Sequence, residues 1–180
     1  MPTDIIVATD RPNLLTSGLV TASSGTYDVA VPTATLPTTT SQTFMVPMAS
    51  GNTQSLMRLV PFHSANNATT PSFRVIGWST YVQTNGTPIY VPTLLADVAC
   101  SYNATGGSIP SLSVNGTTQY FFHAALVSGG VPTVNAYSPG TAAAAGTPPA
   151  AVVLDVIGHQ YVTIQFESST GTMGAFYAFL

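Results

Sequence analysis

Six carboxylates, three histidines and one cysteine are all that 180 residues offer to acid–base, nucleophilic or metal chemistry. Asp155 and His159 flank Gly158 closely enough to pair, while Asp97 and His123 fall on other extended segments. No serine stands in the Gly-x-Ser-x-Gly setting that exposes a nucleophile on a sharp turn, so a hydrolase would depend on tertiary placement alone. Beside a turn, Asp155 reads equally well as an acceptor of backbone N–H groups. His63, His123 and His159 show no ligand spacing such as His-x-His, and Cys-x-x-Cys is absent. A metal shared between subunits is the one metal arrangement left open; no metal site or cofactor is expected within the chain. Cys100 shares an apolar strand face with Ala96, Val98 and Tyr102 and reads as a buried, inert thiol. Gly106-Gly107 and Gly129-Gly130 precede no helix, so they are turn glycines rather than phosphate loops. Active sites concentrate titratable groups, and a chain this sparing of them is not expected to be an enzyme.

The same scarcity governs the surface. The chain has three Arg, no Lys and six acidic residues, whereas a solvated surface is ordinarily about 25–35% charged. Thr, Ser, Asn and Gly must face water here, or much of the outside must be covered. Too few cations are present to neutralise several phosphates, which disfavours direct nucleic-acid binding, and none is expected. No apolar run reaches the roughly 18 residues of a membrane span, and no basic-then-apolar leader opens the chain, so neither membrane insertion nor classical export is expected. Asn-x-Thr triplets at Asn67, Asn85, Asn103 and Asn115 read as turn chemistry rather than glycan sites.

The elements that would position these residues are strands. From Gln54 onward come short strand-like segments bounded by Gly, Asn and Pro: SLMRLVPF with Arg58 facing out, FRVIGWSTYV with Phe73, Val75 and Tyr81 on one face and Ile76, Trp78 and Val82 on the other, both largely apolar, and TQYFFHAALV. Asn85-Gly86 and Asn115-Gly116 mark turns, Pro92 interrupts an extended piece before a strand at 95–102, and residues 128–150 form a long irregular loop containing Tyr137. The Ala142 to Ala145 run is too short to sustain a helix, since even a marginal one needs about 12 residues. About eight such strands predict an all-β domain over 54–180, a β-sandwich with the jelly roll as its leading variant.

Residues 1–53 differ in character. Their Pro/Thr tract cannot be helical, and Pro32, Pro37 and Pro47 each remove a backbone donor, so this stretch is expected to be an extended N-terminal arm. Ile5, Ile6, Val7, Phe44, Met45 and Met48 would be wasted on a floating leader. They are the expected contacts of an arm that adds a strand to a neighbouring protein.

The last thirty residues read as three strands. A break at Gly158 suggests a tight hairpin, followed by Val162, Ile164 and Phe166 alternating along one face. In the final strand Met173, Ala175, Tyr177 and Phe179 share one face, and Phe176, Ala178 and Leu180 the other. Two apolar faces need two covers. Met173, Phe176, Tyr177 and Phe179 are therefore expected at or near a contact between identical subunits, the alternative being a central strand of one subunit.

The lysine-free Thr/Ala/Gly/Pro-rich composition, the extended segment before an all-β domain and the ending GHQYVTIQFESSTGTMGAFYAFL resemble virion structural proteins of tailed bacteriophages. More narrowly, the layout is similar to capsid decoration, or cement, proteins. That resemblance implies a jelly-roll-like domain that forms trimers on the outer surface of the virion capsid, binds the major capsid protein through its arm and bridges adjacent capsomers. No functional residue carries over by position. A phage tail-fibre or receptor-binding tip, or a carbohydrate-binding β-sandwich, is the alternative reading, for which Tyr137 is the one clear loop aromatic.

Overall fold

A computed structural model describes residues 13–14, 20–21, 29–39, 43–47, 56–64, 72–101, 111–114, 116–121, 123–128, 152–167 and 172–179. Every regular element among them is a strand. In chain order these are β1 (Asn13–Leu14), β2 (Val20–Thr21), β3 (Thr43–Pro47), β4 (Leu56–His63), β5 (Ser72–Val82) and β6 (Pro88–Ser101). They are followed by β7 (Ser111–Val114), β8 (Thr117–Phe121), β9 (His123–Ser128), β10 (Val152–Asp155), β11 (Tyr161–Glu167) and β12 (Thr172–Phe179).

They build two antiparallel sheets packed face to face, a β-sandwich as the alternating pattern predicts. The first runs β1-β12-β4-β8-β7, with β2 beside β1 on β12 and β10 beside β8 on β4; the second runs β3-β11-β5-β6-β9. The inward side chains are those the period-2 reading selects. Phe73, Val75, Val162, Ile164 and Phe166 of the second sheet meet Met57, Leu59, Val152, Leu154, Met173 and Ala175 of the first, all essentially solvent-free. Removing such apolar surface from water contributes roughly 25 cal/mol per Å², the dominant favourable term in a chain with so few charges.

The chain winds as a roll: β4 pairs with β12 and, nested within that pairing, β5 pairs with β11. First-with-last pairing of this kind is the jelly-roll pattern. Its middle departs from it, because β5 and β6 form a long hairpin within one sheet, Val82 opposite Pro88. The Gln83 to Thr87 turn closes with Gln83 N–H to Thr87 O at 2.9 Å and Gly86 N–H to Gln83 O at 2.9 Å, with Gly86 at φ 83°, as the Asn-Gly signal requires.

Three expectations change. The break at Gly158 is not a hairpin: β10 pairs with β4 and β11 with β3 and β5, so the turn carries the chain from one sheet to the other. The segment TQYFFHAALV is two strands, β8 in the first sheet and β9 in the second, because an apolar run that serves both sheets must switch at a corner. Pro92 does not interrupt β6. Tyr90 exchanges both backbone hydrogen bonds with Thr33, at 3.1 and 2.8 Å, so its N–H points away from β5. Pro92, two residues on, has the same orientation, and its missing donor falls on that open edge. Gly106, Gly107, the loop from 129 to 150 with Tyr137, and Asn67, Asn103 and Asn115 lie outside the described residues.

Candidate functional site

The sandwich end where β10 turns into β11 holds two of the polar side chains that the sequence singles out, Asp155 and His159. Asp155 Oδ1 accepts the N–H of Ile157 at 2.9 Å, the turn-end role available to it from its position. Gly158 adopts φ 79°, a left-handed conformation open to glycine, and reverses the chain. His159 then folds back over β5. A Cβ built on Gly77 would stand 2.5 Å from its ring Cγ and 2.7 Å from Cε1, so the missing side chain of a mid-strand glycine is the space the imidazole fills.

Ser79, two residues along β5, lies 3.1 Å from His159 Nδ1 and donates its hydroxyl to Gly158 O at 3.2 Å. With that proton on a carbonyl, Nδ1–H donates to Ser79 Oγ, and the serine braces the turn. Gln160 completes the lock: its N–H donates to Trp78 O at 2.9 Å and its Oε1 accepts Thr80 N–H at 2.8 Å. Burial pushes the His159 pKa below its ordinary value, and the Asp155 carboxylate opposes that only partly. The neutral imidazole is therefore the form this corner favours. What the arrangement does is fasten the crossover turn onto β5 of the second sheet.

The other candidates do not join it. Asp97 pairs with Arg74 Nε at 3.3 Å across the β5–β6 ladder, a partly exposed ion pair of the kind worth about 0–1 kcal/mol. His63 is fully buried on β4. The side chains of His123 and Cys100 lie outside the described residues. Among the described residues no group of three or more His, Cys, Asp or Glu side chains could hold a metal ion.

The contacts expected of the arm and of the last strand are relocated. Ile5, Ile6, Val7 and Met48 lie outside the described residues. Phe44 is a correction: it is 3% exposed, in the core with Val46, because β3 is an edge strand of the second sheet, hydrogen-bonded to β11. An edge next to Phe166 is where an amphipathic extended segment gains most, and the two rings pack edge-on at 6.3 Å. Met45, on the opposite face of β3, is half-buried. With β1 and β2 paired to β12 in the first sheet and β3 in the second, the sandwich takes in strands from residue 13 onward, ahead of the boundary expected after 53.

Met173 is a second correction. It is fully buried in the chain's own core, and β12 lies between β4 and the short strands β1 and β2, the central-strand alternative. On the other face of β12, Phe176 lies beside Phe62 at 5.4 Å and stacks with Phe121 at 6.1 Å, an aromatic cluster along the outer face of the first sheet in which Phe62 has no exposure and Phe176 and Phe121 remain half-buried. Tyr177 is half-buried against the core, which raises its pKa. The Phe179 side chain lies outside the described residues.

Sequence reasoning missed a second polar surface, on the outer face of the second sheet. Thr33 sits at the edge of β6 and Thr43 opens β3 at the opposite edge, so the chain between them must cross β5 and β11. Residues 29–39 form this strap. Beneath it Trp78, Thr163, Gln165 and Thr43 are buried although they face away from the core. Trp78 donates its indole N–H to Thr163 Oγ1 at 2.8 Å. The signal that could have revealed it is the alternation itself, which places Trp78 opposite the inward Phe73 and Val75.

No family model, curated protein or solved structure matches the chain. Fold and site together define a β-sandwich with a strapped outer sheet face, charge-poor over its described surface.

Proposed function

We propose that this chain is a non-enzymatic structural protein of a bacteriophage virion, a decoration or cement protein on the outer surface of the capsid. It binds the major capsid protein, bridges adjacent capsomers and acts as a homo-oligomer, a trimer by the resemblance. The observation that carries the reading is the β5–β6 hairpin tip, where Tyr81 is 61% and Val82 71% exposed, on a surface with almost no charge to solvate it. Contacts of that kind depend on apolar burial and are screened little by salt, and several linked copies multiply weak single contacts through effective concentration. The sandwich supplies a compact block, and the roll ties its ends together. Imaging of purified source virions with the protein labelled tests this directly. Regular occupancy of capsid lattice positions is expected; confinement to the tail, or absence from the particle, would reject the proposal.

A further inference from the structure

We propose that the cavity beneath the strap binds a small, neutral, hydroxyl-rich molecule of the sugar or polyol class. The cavity measures about 260 Å³, close to the lower end of ligand pockets, roughly 300 Å³. Thr33 and Thr38 line its strap side, and Thr43, Trp78, Thr163 and Gln165 its sheet side. None of these described lining residues titrates; Arg74, the register partner of Gln165 on the same face, lines the adjoining cavity and is paired with Asp97 at 3.3 Å. Gln165 is 5% exposed, and its Oε1 is a buried acceptor without a hydrogen-bond partner. Oε1 has no surface open to a water-sized group in this conformation, so a ligand hydroxyl reaches it only once the Gln165 amide turns toward the cavity; a buried acceptor left unmade costs about 1–3 kcal/mol, which that contact recovers. Thr163 Oγ1 already accepts from Trp78 and retains its own proton to give. A ligand that donates to Gln165 and accepts from Thr163 satisfies both, and a hydroxyl does each. Buried Trp78 below and the exposed Val29 and Val31 at the rim offer apolar surface that suits the C–H faces of a sugar. An adjoining cavity of about 270 Å³ shares Val29 and Ala30 and continues along the sheet past Ile76 and Leu94. That leaves room for a second unit.

Trp78 is the only tryptophan, so its fluorescence reports on this cavity alone. The full chain is titrated with glucose, galactose and N-acetylglucosamine, and with glucuronate as a charged counterpart. A saturable change with at least one neutral sugar is expected, with glucuronate bound at least about fivefold more weakly. Gln165→Met keeps the shape, removes the acceptor and should weaken binding about five- to tenfold without lowering the melting temperature. Thr38→Val, an exposed strap position, provides a second variant that does not disturb the sheet and should weaken binding in the same direction. Ser113→Ala, on the other sheet, should bind as the parent does. The proposal is overturned by the lack of any saturable change up to about 100 mM of every neutral sugar, a ligand range well above millimolar affinity. Equal binding by Gln165→Met and Thr38→Val, or only ordered water in the cavity of a sugar-soaked crystal, would overturn it as well.

Discussion

The imidazole of His159 stands where a side chain on Gly77 would have to be, with ring carbons within 2.5–2.7 Å of a Cβ built there. Replacing Gly77 with Ala therefore sets a methyl group against a ring held by Ser79 and the Gly158 turn. A loss of about 1–3 kcal/mol is expected from chemical denaturation, the usual cost of overpacking. His159→Ala should relieve much of it in the double variant. Additive losses would mean that the two residues do not share this space.

Acid should loosen the same corner. Burial holds the His159 pKa below 6.5, so the unfolded chain takes up this proton more readily than the folded one. The stability this group contributes is complete above pH 6.5 and is lost as pH falls through the lowered folded value. Melting temperatures measured between pH 7.5 and 4.5 should decline more for the parent than for His159→Gln. Parallel profiles would place the acid sensitivity elsewhere, among the carboxylates.

Phe44 belongs to the core, and Phe44→Ala should cost about 3–5 kcal/mol. Deleting residues 1–50 removes β1, β2 and all of β3 together with the strap, leaving one edge of β11 and one of β12 unpaired and Phe166 without its Phe44 neighbour. Calorimetry should show the cooperative transition strongly lowered or lost. A truncated chain that melts like the parent would show that β3 adds nothing to the fold.

Thr163→Val keeps the shape beneath the strap but leaves the Trp78 indole N–H without its acceptor. An unsatisfied buried donor should lower stability by about 1–3 kcal/mol, read by urea denaturation, with a shift in Trp78 emission. Thr163→Ser, which retains the hydroxyl, should recover most of the loss.

Period-2 alternation was enough to specify an all-β sandwich and most of its inward side chains. Val162, Ile164 and Phe166, or Phe73 and Val75, can share a face in no other regular structure, and Asn85-Gly86 demands a hairpin wherever the strands lie. The same local signals are silent about which sheet a strand joins. Gly158 reverses the chain whether its flanking strands pair with each other or with β4 and β5, and only the packing of Val152 and Leu154 beside Met57 and Leu59 decided that. Two apolar faces on β12 were legible, but not that one lies in the core between the sheets while the other joins Phe62 and Phe121 in an aromatic cluster on the outer face. The Pro/Thr segment was legible as extended; its place depended on the partners it found. Phe44 filled a gap beside Phe166, and the strap crossed an outer face that carries Trp78, because long-range burial rather than local propensity sets where an extended segment comes to rest.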